Sequence, residues 1–114
     1  MDDDRQEALI FDFLARLVKR TREGRVGWDM EGEGFVLRGD HGQVIVTSSR
    51  PQGQHPYALR VLNERGLSVY DFITEEGDFY TSHEKLIEDL YLSARGQYFD
   101  VEGTVLGLAD DWNL

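Results

Sequence analysis

The chain has no cysteine among its 114 residues. That excludes disulfide staples, thiolate zinc sites and a cysteine nucleophile together, and it fits a reducing compartment. Only two prolines occur, Pro51 and Pro56, both within "SRPQGQHP", so the remaining backbone carries no proline break. No apolar run approaches the roughly 18 residues that a membrane span requires. The opening Met1-Asp2-Asp3-Asp4 is acidic, where a signal peptide would be basic. The expectation from these absences is a cytoplasmic protein with no membrane association.

Bases are scarce as well. Twelve Lys and Arg stand against 22 Asp and Glu, for a formal net charge of -10. Phosphate affinity depends on a basic surface, so nucleic acid is not an expected partner, and an anionic membrane is not one for the same reason. The deficit is local. Residues 74–114 hold ten acids and only Lys85 and Arg95, whereas residues 1–24 and 25–73 each hold six acids and five bases.

What is present is a clear change of periodicity. Over residues 4–22, Leu9, Ile10, Phe13, Leu14, Leu17, Val18 and Thr21 recur at helical spacing, which predicts an amphipathic helix. Acids crowd its start and bases its end, as the helix dipole favours, and Gly24 suits a left-handed C-terminal cap. Val26, Trp28 and Met30 then alternate with polar residues, predicting a half-buried strand whose tryptophan packs under the helix near Leu14, Leu17 or Val18. Further strands are predicted at 35–38, 43–48, 57–62 and 67–73, separated by turn signals at Gly32-Glu33-Gly34, Gly39-Asp40-His41-Gly42 and Asn63-Glu64-Arg65-Gly66. Short turns between consecutive strands imply an antiparallel meander.

Thr81-Ser82-His83-Glu84 matches a capping box. It opens a helix with Leu86, Ile87, Leu90, Tyr91 and Ala94 on one face and an expected end near Gly96. Beyond it, Val101, Val105, Leu108 and Trp112 keep helical spacing, while Gly103 and Gly107 each weaken a helix by about 1 kcal/mol relative to Ala; a short, marginal C-terminal helix is expected. The fold class is therefore α+β: one domain over 1–114, with an N-terminal helix, a five-stranded antiparallel sheet and a C-terminal helix in two layers. The strand over 67–73 leaves a choice. Either Leu67, Val69 and Ile73 face the helices together with Asp71, or Tyr70 and Phe72 do. Some apolar area lies on the open sheet face in either case, to be covered by the tail or by a second copy of the chain.

Motifs for chemistry are weak. His41, His55 and His83 have no metal-ligand spacing and read as surface imidazoles. Ser48 and Ser49 near His55, with Asp40 and His41 upstream, invite comparison with a hydrolytic triad, but geometry defines a triad and no nucleophile elbow is present. "GWDMEGEG" lacks the order of a phosphate-binding loop. Glu75-Glu76-Gly77-Asp78 is a fragment of a calcium loop without its remaining ligands. No cofactor and no metal is indicated.

The first helix, the junction Thr21-x-x-Gly24-x-Val26-x-Trp28, the hairpin-rich middle and "LIEDLYLSAR" (Leu86 to Arg95) together resemble a layout of small bacterial α+β domains to which no activity is attached. The resemblance spans residues 8–95 and rests on structural motifs. It implies a fold and carries over no catalytic residue.

The expected function follows from the charge. A non-enzymatic protein-binding module would present an acidic C-terminal surface, formed by Glu75, Glu76, Asp78, Glu84, Glu88 and Asp89 and continued by Asp100, Glu102, Asp110 and Asp111, to a basic protein partner, as an immunity protein or inhibitor does. The alternatives are a self-associating structural domain, a homodimer through the open sheet face, and a small enzyme with a carboxylate or histidine pocket.

Overall fold

In the computed structural model, which describes residues 2–49, 56–74 and 81–114, helix α1 (Asp2–Arg22) leads into strands β1 (Asp29–Glu31), β2 (Gly34–Gly39), β3 (Gly42–Ser48), β4 (Tyr57–Asn63) and β5 (Ser68–Ile73). Helices α2 (Ser82–Phe99) and α3 (Val101–Asp111) follow. The five strands form one antiparallel sheet in sequence order. Helices α1 and α2 pack on each other, and α2 lies over β2, β3 and β4. This is the α+β architecture that the sequence predicts, in two layers, with a third helix beyond them.

The corner between α1 and β1 is held from three directions. Gly24 sits at φ 72. Its N–H donates to the Thr21 carbonyl and the Arg25 N–H to the Arg20 carbonyl, each at 3.0 Å, the paired bonds of a Schellman cap. Trp28 is buried with 3% of its surface exposed, and its indole Nε1–H donates to Thr21 Oγ1 at 3.0 Å. Its backbone N–H donates to Gln97 Oε1 of α2 at 2.8 Å. Thr21 in turn donates to the Leu17 carbonyl at 2.8 Å. The spacing from Thr21 to Trp28 therefore places a buried donor beside its acceptor.

The same bonds correct the expected strand. Val26 and Trp28 are drawn toward the helices, and the ladder starts only at Asp29. Met30 pairs with Phe35 at the sheet margin and is 45% exposed, so the alternation Val26-Trp28-Met30 does not describe one buried strand face.

Phe35, Val44, Val46, Tyr57 and Leu59 point into the core with Phe11, Leu14, Leu17 and Val18 of α1 and Ile87, Leu90, Tyr91 and Ala94 of α2. Strand β5 takes the second of the two registers. Tyr70 and Phe72 pack inward, both edge-on to Phe11 at 6.2 and 6.0 Å between ring centres, while Leu67, Val69 and Ile73 are exposed. Phe72 stands opposite the core residue Leu59, and the register shifts only beyond Tyr70. Val61 pairs with Tyr70 but Leu62 with Ser68, leaving Val69 as the extra residue of a bulge, a device common on edge strands. Gly34 is required where β2 crosses close to β3, since a Cβ there would collide with the Val46 carbonyl and the Thr47 methyl.

Helix α2 begins as the capping box predicts. The Glu84 N–H donates to Thr81 Oγ1 at 3.1 Å, and the Thr81 N–H donates to Glu84 Oε1 at 3.3 Å. It does not stop at Gly96. It runs to Phe99, because Tyr98 and Phe99 both meet the ring of Phe35 and the Gln97 side chain holds the backbone of Trp28. Asp100 then ends α2 and starts α3. At φ 50 it is left-handed, its N–H donates to the Gln97 carbonyl at 3.2 Å, and its carboxylate accepts from the Gly103 N–H at 3.3 Å. The two glycines do not prevent α3, since Gly103 lies against that carboxylate, where a Cβ would collide with it.

Candidate interaction surface

The acidic residues expected to form one patch have different fates. Glu75, Glu76 and Asp78 lie outside the described residues. Glu84 is not on the surface as expected: it is 7% exposed and its carboxylate serves the cap, also accepting from the Thr81 hydroxyl at 3.0 Å. Glu88 and Asp89 are half-buried, and both are met by Lys85, at 3.0 and 3.2 Å; Arg22 of α1 stands 3.8 Å from Asp89. Those two carboxylates hold the Lys85 ammonium above its ordinary pKa. The body of α2 thus neutralises much of its own charge.

The open sheet face is mixed. Arg38 bridges Asp29 at 3.3 Å and also meets Glu31. Arg60 pairs across the strands with Asp71 at 3.1 Å, and Ser68 donates to the same carboxylate at 2.7 Å. These pairs interrupt the apolar residues Ile45, Leu62 and Ile73. Helix α3 does not cover this face, because its one substantial contact is with α2.

Among the described residues, the serines and the Asp40-His41 pair are not brought together. Ser48 and Ser49 lie at one end of β3, whereas Asp40 and His41 lie before its other end. The Ser49 hydroxyl donates to the Pro56 carbonyl at 3.4 Å. His55 lies outside the described residues. His41 is on the surface, 3.9 Å from Glu64. His83 is not merely a solvated imidazole: it stacks on Phe11 with 3.8 Å between ring centres and lies 3.3 Å from Glu7, a link between α1 and α2. No group of three or more His, Cys, Asp or Glu able to hold a metal occurs among the described residues. No helix among them is long and apolar enough to cross a membrane. An open groove of about 690 Å³ beside the base of α3 is lined by Thr21, Arg22, Leu92, Ser93, Gln97 and Val101 among others.

What remains is α3 itself, which buries none of its residues. Val101, Val105, Leu108 and Trp112 are exposed by 52, 57, 41 and 66%. Their spacing of four, three and four residues places them along one side of the helix. Asp100, Glu102, Asp110 and Asp111 surround that stripe, and none has a basic partner among the described residues. Sequence reading found the stripe in a short, marginal helix and named these four acids as the continuation of the acidic surface.

No family model, curated protein or solved structure matches this chain.

Proposed function

We propose that the chain is a non-enzymatic protein-binding domain whose docking element is α3. The observation that supports this reading is an apolar stripe with no cover: four large side chains at helical spacing, none buried, on a helix that is capped and formed. Such a helix suits insertion into a groove, with anchors three and four residues apart supplying the contact. Its surrounding acids select the groove. A partner surface apolar at its centre and basic at its rim meets Glu102, Asp110 and Asp111 with opposite charge, which speeds encounter and disfavours acidic competitors.

The test separates stripe from rim. A partner recovered with the wild-type chain from extract of the native host is titrated against two variants. Val105→Glu/Leu108→Glu is expected to abolish binding. Asp110→Asn/Asp111→Asn is expected to slow association, most at low salt where screening is weakest. A partner that binds the first variant as tightly as the wild type overturns the reading.

A further inference from the structure

The outer side of α1 carries a second stripe. Burial of Phe11, Leu14, Leu17, Val18 and Thr21 against the core turns Leu9, Phe13, Arg16 and Arg20 outward. Leu9 is 69% and Phe13 45% exposed, and both arginines are on the surface. Arg16 is met by Asp12 at 2.8 Å; Lys19 and Arg20 have no acidic partner among the described residues. The spacing from Leu9 to Arg20 is again four, three and four, the interval of Val101, Val105, Leu108 and Trp112. The two stripes have opposite charge. Residues 12–25 hold five bases and two acids, whereas residues 100–112 hold four acids and no base.

We propose that the groove sought by α3 is supplied by a second copy of this chain, with α3 of one protomer lying along the outer face of α1 of the other. The proposal rests on the reading of α3 as a docking element and names its occupant. Length permits it, since α3 spans about 16 Å and α1 about 31 Å at 1.5 Å per residue. Equal spacing allows layers of side chains to meet in register. Charge sets the direction. A parallel arrangement brings Asp110 and Asp111 beside Lys19 and Arg20, whereas an antiparallel one brings them to the stretch flanked by Glu7 and Asp12. The parallel register opposes Val105 to Phe13, Leu108 to the stem of Arg16, and Trp112 to Arg20. Arginine stems cover apolar surface readily, and a guanidinium over an indole gains a cation–π contact. Pairing of α3 with α3 is disfavoured because Glu102 and Asp111 flank the stripe on both sides and would face like charge. A twofold axis makes the contact reciprocal, so each copy buries both stripes.

The absence of native cysteine gives a clean test. Sedimentation of the full chain across a wide concentration range is expected to show a dimer. Val105→Glu and Phe13→Glu are each expected to weaken it by at least 10-fold, and raised salt is expected to weaken the wild type. Differently tagged Phe13→Cys and Val105→Cys proteins, mixed and oxidised, are expected to form the mixed disulfide in preference to either self-linked product. A Phe13→Cys and Leu108→Cys mixture, the antiparallel pair, is expected to cross-link less. A chain monomeric throughout the range overturns the second-copy assignment and leaves α3 open to a foreign partner. A dimer indifferent to Val105→Glu overturns both that assignment and the docking role of α3, because the chain would associate without its exposed helix. Preferential Val105→Cys self-linkage overturns the pairing with α1.

Discussion

Helices α2 and α3 are joined through one residue, Asp100, yet α2 buries Glu84, Ile87, Leu90, Tyr91 and Ala94 while α3 buries nothing. Both carry an apolar stripe, and both are capped. The difference lies in what each stripe meets. The stripe of α2 shares the core with Phe35, Tyr57 and Leu59 of the sheet and Leu14 of α1, whereas α3 makes its one substantial contact with α2 and buries none of its residues. Helical spacing of apolar residues therefore establishes that a helix has a face to cover; whether its own chain covers it depends on where the preceding cap aims it. The two tryptophans mark the contrast, Trp28 at the centre of the first region and Trp112 at the tip of the second.

The largest expected effect tests that contrast directly. Trp28→Ala should cost about 3–5 kcal/mol, the range for a large aromatic removed from a core. Trp112→Ala should change the stability of dilute monomer by less than about 0.5 kcal/mol, as surface substitutions do. Urea unfolding followed by far-ultraviolet circular dichroism measures both. Equal losses would erase the distinction between the two helices.

Truncation sharpens the boundary. Removing 101–114 should leave the unfolding midpoint of dilute protein nearly unchanged. A cut after Gly96 should lower it clearly, because it deletes the acceptor for the Trp28 N–H and the Tyr98 and Phe99 contacts to Phe35.

At the corner, Thr21→Val removes the acceptor for the buried indole N–H at nearly constant volume. The expected loss is about 1–3 kcal/mol, the cost of an unsatisfied buried donor, and Thr21→Ser should recover most of it. On α2, Thr81→Ala should cost about 1 kcal/mol, as an N-cap loss does. Glu84→Lys should also destabilise the fold, since the carboxylate is part of the cap and not of a free surface.

The smallest expected effect is alkaline. Burial first, and the nearby Glu88 carboxylate second, raise the Tyr57 phenol above its ordinary 10.0. Burial followed by Glu7 does the same for Tyr70. The folded state then holds these protons more tightly than the unfolded chain, whose phenols ionise from about pH 10. This contribution is complete below that value and is lost as pH rises through the folded-state values. Tyr57→Phe should flatten the alkaline fall in stability, and phenolate absorbance should show part of the tyrosine titration of the folded protein displaced above that of the unfolded chain.

Much of the fold was legible because it is written in local terms. Gly24 declared the end of α1, Thr81 and Glu84 declared the start of α2, and Trp28 declared burial by its place after a helix cap. The misreadings needed information from distant residues. Met30 alternates with Trp28 in sequence, but a bond from Gln97, 69 positions away, sets where β1 begins. The two registers of β5 could not be separated by pattern alone, because the choice was made by Phe11 of α1, which Tyr70 and Phe72 meet edge-on, at the cost of leaving Leu67, Val69 and Ile73 exposed. Glu84 was recognised as a cap and also counted as surface charge, and one carboxylate cannot be spent both ways. For the proposed interaction surface, the acidic excess was visible in composition, but the exposure of α3 that carries part of it was not.

The direction taken at Asp100 has a mechanical consequence. A helix of about 16 Å that swings by roughly 10° at its base carries its tip through about 3 Å, enough to move an indole out of a fitted pocket. Asp100 resists such a swing from both sides: its left-handed backbone closes α2, its carboxylate holds Gly103, and any larger residue at 103 would strike it. The arm is consequently aimed when the chain folds. A partner meeting it does not have to select one orientation from many, and the entropy lost on docking is reduced to that extent.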